Sequence, residues 1–340
     1  MRTEPGGGGT TAICDIVIAT RNRPAGLARC LGSLVVQSTT SIRVIVVDDC
    51  SDQSLDTVVF APQFAELDLT LHRLATPSGP AAARNAGAAL ANAEYLMFLD
   101  DDVRADWRCV EAHLDTVRAP DPAGRPIVSC GPFLEPADWK PTPWNKWEAL
   151  NARREADNLL RGEWPVTWRA FHTGNNCLPT ALFQEVGGFD EDFKRAEDDE
   201  LALRLSRRGC TFRFQPAAIA WHYPERTREA WLRIPRSYAV YNHRMDRLHP
   251  EVRFMETHKR ELERRHPAVR ALRRVAGRRP LSTPAVRATV AIAQFLFRVG
   301  LVRPSMAALS AAYDFSYAEA LARIEAKDST EAANAIIAGT

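Results

Sequence analysis

Tyr95-Leu-Met-Phe-Leu-Asp-Asp-Asp102 sets five apolar residues directly against three consecutive acids. An unbroken apolar run of that length reads as a strand buried on both faces, the kind found inside parallel sheets. The acids then mark its carboxyl end. Two β-branched runs, Ile13 to Ala19 and Ile42 to Val47, end in the same manner, in Thr20-Arg-Asn-Arg23 and in Asp48-Asp49. Between the strands, Leu27, Leu31, Leu34 and Val35 form an apolar stripe after Pro24, and Ala81 to Ala93 is rich in the strongest helix former. Strands alternating with helices predict an α/β fold: a Rossmann-like, mostly parallel central sheet flanked by helices, with its ligand crevice at the carboxyl ends of the strands.

The 340 residues are 46% hydrophobic and 25% charged with a net charge of +2, which excludes disordered, collagenous and coiled-coil classes and allows one large domain plus a smaller one. The longest apolar run, Ala288 to Phe297, is bounded by Arg287 and Arg298 and falls well short of the ~20 residues of a membrane span. Met1 to Thr10 is polar, includes Gly6 to Gly9 and has no secretory-signal pattern, so residues 1–12 are expected to be a disordered lead-in. Seven cysteines without a C-x-x-C pair suit buried thiols in a reducing, cytoplasmic setting. Residues 1–224 carry 23 basic and 30 acidic side chains, residues 225–340 carry 21 and 12, so the two parts are opposite in charge.

Three carboxylates at Asp100, Asp101 and Asp102 repel one another unless a cation is present, and oxygen-only ligands suit a hard ion, Mg²⁺ or Mn²⁺, that shares its shell with a diphosphate. A solvated acidic turn is the competing reading. Glu197, Asp198, Asp199 and Glu200 open a helix that closes in Arg207, Arg208 and Gly209. Acids there complement the helix dipole, and one of them could also serve as a general base. Arg84 in Gly79 to Gly87 offers a planar fork to a phosphate or base, or is one exposed arginine on a packing helix. His222, between Trp221 and Tyr223, is a ligand candidate or a satisfied half-buried histidine. Trp139, Trp144, Trp147, Trp164 and Trp168 crowd residues 132–168, a texture that suits either an acceptor-side insertion stacking on sugar faces or core packing.

In order and spacing, Ile18-Ala-Thr-Arg-Asn22, Val46-Val-Asp-Asp-Cys-Ser51, Arg84-Asn-Ala-Gly87, Phe98-Leu-Asp-Asp-Asp102, Gly174-Asn-Asn176, Val186-Gly-Gly-Phe-Asp-Glu191 and Glu197-Asp-Asp-Glu-Leu201 resemble the inverting glycosyltransferase family 2, which has the GT-A fold. The resemblance covers about Ile13 to His222. It implies a metal-dependent enzyme that moves a single sugar from a nucleotide-sugar donor, a UDP-sugar first of all, to an acceptor hydroxyl. Carried over, Thr20, Asn22, Asp49, Arg84 and Asp100 would lie against the nucleotide, with Asp101 beside them in the D-x-D segment. Asp102, Asp100 and His222 would hold Mn²⁺ or Mg²⁺, with Asp102 the direct ligand. Asp198 would be the catalytic base, with Glu197 positioning acceptor or base. Cys50 departs from the Gly or Asn usual after the acidic pair, and the Gln-x-x-Arg-Trp motif of processive synthases is missing.

The organisation expected is a GT-A catalytic domain at 13–223, with the insertion at 132–168, and a basic helical C-terminal domain at 224–340. Tyr238 to Arg274 is helix-like and carries Arg244, Arg247, Arg260, Arg264, Arg265, Arg270, Arg273 and Arg274. This face is either solvated or docks peripherally on the inner face of a membrane to reach a lipid-linked acceptor. Nucleic acid is not expected, since no recognition motif accompanies the charge. Leu296, Phe297, Val299, Leu301 and Val302 would bury against the catalytic domain or in a homo-oligomer. Glycans and natural products are the other acceptor classes. A nucleotide-sugar-binding protein without transfer activity is the alternative reading. A sugar nucleotidyltransferase fits less well, because its Gly-rich phosphate loop is missing.

Overall fold

In the computed structural model, residues 2–4, 12–254 and 283–327 are described. They fall into two compact units, 1–139 with 149–224 and 140–148 with 225–340. The elements of the first run in the order β1 (Arg2–Glu4), β2 (Cys14–Thr20), α1 (Pro24–Val35), β3 (Ile42–Asp48), α2 (Asp56–Val59), β4 (Asp68–Arg73), α3 (Pro80–Ala88), β5 (Tyr95–Leu99), β6 (Val103–Ala105), α4 (Cys109–Arg118), β7 (Ile127–Cys130) and β8 (Phe133–Leu134). After α5 (Pro143–Leu160), whose first turns belong to the second unit, come β9 (Asn175–Pro179), α6 (Thr180–Glu185), α7 (Glu197–Arg207), β10 (Thr211–Phe214) and β11 (Ala220–His222).

The main sheet has the order β1-β4-β3-β2-β5-β9-β7-β10. The run β4, β3, β2, β5 is parallel, as the apolar strands imply, with Ile16 opposite Val44 and Met97. β9 is antiparallel to both β5 and β7, and β1 is antiparallel to β4. Strand β1 corrects part of the expected disordered lead-in: residues 2–4 pair in the sheet, and residues 1 and 5–11 lie outside the described residues. The chain steps outward from β2 to β3 to β4, then returns to the far side of β2 for β5. The order therefore reverses between β2 and β5, which is where an α/β sheet opens a crevice beyond its strand ends. A small sheet, β6-β11-β8, stands beside it.

Helices cover both faces. Ile16 and Ile18 of β2 meet Leu27, Leu31 and Leu34 of α1, while Val17 points to the opposite face with Phe98, Ala83 and Leu201. This is the two-residue period of a strand sharing its side chains between two layers, each large buried side chain contributing about 1.5–3 kcal/mol. Pro24 starts α1, where its missing N–H costs nothing. Helix α3 lies so close to the sheet that a methyl at Gly87 would come within 2.5 Å of Val17 Cγ1.

The second unit contains α8 (Arg228–Leu248), α9 (Thr283–Arg298) and α10 (Val302–Lys327). Thr227 caps α8 by accepting from the Ala230 N–H at 3.1 Å. Trp144, Trp231, Val290, Leu309 and Phe315 are among its core residues. Trp147 stacks on Tyr313 at 5.1 Å and donates from Nε1 to Ser310 Oγ at 2.8 Å; Trp144 donates to the Arg226 carbonyl at 2.7 Å. This corrects the acceptor-site reading of these two tryptophans, whose faces are spent on packing. It also revises the 132–168 insertion: residues 143–160 are one helix, and 140–148 belong to the second unit. Trp164 is exposed, and Trp168 packs at the edge of the sheet core. Within the single chain Val299, Leu301 and Val302 are exposed, and Leu296 and Phe297 are half-buried. The arginines from Arg260 to Arg274 lie outside the described residues. Among the described residues no helix is long and apolar enough to cross a membrane.

Candidate active site

The polar strand ends meet at the β2–β5 reversal. Thr20, the last residue of β2, donates from Oγ1 to Asp101 Oδ2 at 2.7 Å. Arg23 reaches the other Asp101 oxygen at 2.9 Å and Asp102 Oδ2 at 3.1 Å with the same Nη1. Burial, with Asp102 and Asp100 adding to it, pushes Asp101 up to about 6 against the pull of Arg23. Asp102 Oδ1 lies 3.4 Å from His222 Nε2, which β11 delivers beside β6. The Asp49 carboxylate accepts the Ser78 and Gly79 N–H groups at 2.6 and 3.0 Å, tying the end of β3 to the start of α3. Asn22 makes a similar clamp, with its Nδ2 donating to Asp52 and its Oδ1 accepting from the Asp52 N–H.

Arg84 joins the strand ends to the helix start. Its Nη2 donates to Asp100 Oδ1 at 2.8 Å and its Nη1 to Glu197 Oε1 at 2.9 Å. Burial works against its charge, yet the two carboxylates outweigh it and hold the proton more tightly. Asp100 can sit here because residue 174 is glycine: a methyl there would collide with the carboxylate. Burial and the neighbouring Asp198 push Glu197 upward. Asp199 follows, up to about 7, for the same two reasons, with His172 and Arg169 opposing. Asp198 Oδ1 accepts the Asp199 N–H at 2.9 Å.

All the candidate residues from the sequence lie in the first unit. The structure brings Thr20 to Asp101, Asp102 to His222, and Arg84 to both Asp100 and Glu197, whereas Asp49 and Asn22 engage neighbouring loops. Of the three metal candidates, Asp102 and His222 converge while Asp100 turns to Arg84. Among the described residues no group of three or more His, Cys, Asp or Glu side chains is gathered as a ligand set. One carboxylate and one imidazole fit a Mg²⁺ or Mn²⁺ ion that takes the rest of its shell from a diphosphate and water, not one caged by protein alone. Two participants had escaped the sequence reading. Arg23 was visible as a strand-end residue but had no stated partner. His172, half-exposed before Thr173 and Gly174, is within 3.0 Å of both Glu155 oxygens and 4.0 Å from Asp198 Oδ2.

Comparison with known proteins supplies a context. The family model for glycosyl transferase family 2 matches residues 15–174, and that for glycosyl transferase family group 2 matches residues 95–318. A pre-mycofactocin glycosyltransferase of Mycobacterium tuberculosis is 30% identical over 214 residues, covering 61% of this chain and 42% of the relative. A validoxylamine A glucosyltransferase of Streptomyces hygroscopicus subsp. jinggangensis is 32% identical over 252 residues, covering 66% of this chain. The chain spans 42% and 59% of the length of these two curated relatives. Among solved structures, the mannosyltransferase PcManGT from Pyrobaculum calidifontis, in complex with GDP-Man and Mn²⁺, aligns with a TM-score of 0.51 at 18% identity. That alignment covers 97% of this chain and 80% of the other, a likeness of fold.

Proposed function

The chain belongs to glycosyl transferase family 2, and we propose that it transfers a single sugar from a nucleotide-sugar, a UDP-sugar first of all, to an acceptor hydroxyl with inversion. The observation that carries this reading is Arg84, which ties Asp100 at the end of β5 to Glu197 at the start of α7 and so sets the nucleotide side against the acceptor side. In this reading Thr20, Asn22, Asp49, Arg84, Asp100 and Asp101 frame the nucleotide. Asp102 and His222 would hold Mn²⁺ or Mg²⁺, whose charge stabilises the diphosphate leaving group when bound. Asp198 takes the acceptor proton as the acceptor oxygen bonds to the anomeric carbon and the bond to the diphosphate breaks on the opposite face. An α-linked donor then gives a β-linked product, without a covalent enzyme intermediate. Glu197, anchored by Arg84, fixes the start of the helix that presents the base. Glycan, lipid-linked and natural-product hydroxyls are all admissible acceptors. We assign the chemistry to 13–223 and place no reacting group in 224–340.

Thermal shift across UDP, GDP, dTDP and CDP, each with Mn²⁺, Mg²⁺ or EDTA, tests the donor site, since a ligand at a hundred times its Kd adds ~2.7 kcal/mol of stability. One nucleotide giving a shift that EDTA abolishes is expected, and its sugar conjugates then form the transfer panel. A shift with sugar conjugates but no transfer to any acceptor would favour a binding protein. Release of pyrophosphate from a nucleoside triphosphate would favour a nucleotidyltransferase.

A further inference from the structure

His172 stands between two carboxylates. Its Nε2 is 3.0 Å from both oxygens of Glu155 on α5, and its Nδ1 faces Asp198 Oδ2 at 4.0 Å. Glu155 lies at hydrogen-bond distance and Asp198 at ion-pair range, so two carboxylates flank the ring and favour its charged form. The imidazolium is therefore the form this geometry selects. Phe133 packs edge-on to the ring at 6.3 Å and also lies 5.2 Å from the His222 ring, placing an apolar wall between this histidine and the one beside Asp102.

The charges around the group are unequal. His172 is faced by Glu155 from α5 and by Asp198 and Asp199 from α7, while Arg169 of the turn at 168–170 acts on Asp199. Glu197 is held by Arg84 on its far side. Burial works against the charge of His172, yet Glu155 first, then Asp198 and Asp199, push it up to about 10. Two-fifths of its side chain is open to solvent, which screens part of that pull. Burial pushes Glu155 the other way, but His172 outweighs it and draws the carboxyl below its ordinary value.

We propose that Glu155 and His172 form a positioning dyad for Asp198: Glu155 holds the imidazole as a cation, and the cation fixes how the Asp198 carboxylate is turned among the crowded acids at the start of α7. The proposal rests on Asp198 as the general base. His172 touches no reacting atom; it already carries both ring protons, so it does not relay the acceptor proton. This role differs from that of Arg84, whose guanidinium anchors Glu197 and carries no titratable information.

The test reads the histidine directly. In the full chain labelled with ¹⁵N-histidine, the His172 ring is expected to keep both protons through pH 8. Glu155→Gln lowers its midpoint by about one unit or more toward the ordinary 6.5, and Asp198→Asn lowers it by a smaller amount, because charge coupling is reciprocal. His172→Gln keeps a donor without the charge. On a sugar conjugate of the nucleotide selected by thermal shift, it is expected to lower kcat ~10-fold with the donor KM and UDP binding unchanged, and Glu155→Gln is expected to lower kcat with no further loss in the double variant. A purely structural histidine would lower kcat and stability independently of Glu155. A His172 titration unaffected by both Glu155→Gln and Asp198→Asn overturns the dyad whatever the turnover. Asp198→Asn with near-normal turnover, while His172 still responds, would instead sink the base assignment.

Discussion

Asp101 and Asp102 at the crevice share Arg23, and Asp48 beneath them pairs with Arg73, whereas Asp198 at the start of α7 faces a histidine. A guanidinium stays charged at every accessible pH and offers a fixed fork, so Arg23 and Arg73 give the strand-end acids a permanent frame, with His222 beside Asp102 as a titrating neighbour. Asp101, buried in this cluster, is pushed up to about 6 by burial and is mostly ionised at neutral pH. The helix-start cluster is conditional beyond the Arg84–Glu197 pair: the charge of its histidine depends on Glu155, and Asp199 is pushed up to about 7 by burial and Asp198. The contrast matches the two proposed tasks, since holding a metal for a diphosphate needs constant charge and accepting a proton needs a group that titrates.

The largest effect that would sharpen this contrast is on turnover. Asp198→Asn is expected to cut kcat by ~10²- to 10⁴-fold while the UDP-induced thermal shift stays as in the wild type. A parallel fall in UDP binding would show that the two clusters are not separable.

Stability comes next, and there a third carboxylate provides the control. Asp15, at the opposite end of β2, accepts from Arg43 at 2.7 and 2.9 Å and from the Asn92 and Ala93 N–H groups at 2.7 and 2.8 Å, and is fully buried. Removing one partner of a buried ion pair costs about 3–5 kcal/mol, so Asp15→Asn and Arg84→Met should both lower the denaturation midpoint substantially. Only Arg84→Met should also depress kcat, measured at a temperature where both variants are folded. If Asp15→Asn lost turnover in proportion, Arg84 would be acting through overall stability and not as the link between the clusters.

Much of this frame was legible in the chain because it is local. Tyr95 to Leu99 announces a buried strand by apolar continuity, and Glu197 announces a helix start by its run of acids, with the dipole as the physical reason. Strand β9 gave no such sign: Asn175-Asn-Cys-Leu-Pro179 has little β propensity and is a strand because β5 and β7 pair with it on either side. The Glu155–His172 contact escaped for a related reason, since its partners lie 17 residues apart on different elements and a lone histidine has no spacing signature. Trp144 and Trp147 misled because an indole suits a sugar face and a helix interface equally well, and only the packing of the second unit decides between them. Cys50 adopts a positive φ of 56°, the left-handed conformation that Gly or Asn takes most readily, so a residue type unusual here occupies a backbone shape that suits the usual ones.

The smallest expected effect is the most discriminating for the conditional cluster. Burial and Asp198 raise Asp199 from the ordinary aspartate value to about 7, against His172 and Arg169. The folded state therefore holds this proton longer than the unfolded chain does. Its contribution to stability is fully present below about pH 4 and is lost as pH rises through about 7. Asp199→Asn removes that dependence, so the variant should gain on the wild type by about 1 kcal/mol between pH 5 and pH 8, the sum being modest because the residue is partly exposed. His172→Gln takes away one of the cations that oppose the shift, and should carry the loss to higher pH. Urea denaturation at half-unit pH steps measures both. A flat difference between Asp199→Asn and wild type would mean that the helix-start acids are as fully ionised as those held by arginine, and the distinction between a permanent and a conditional cluster would fall.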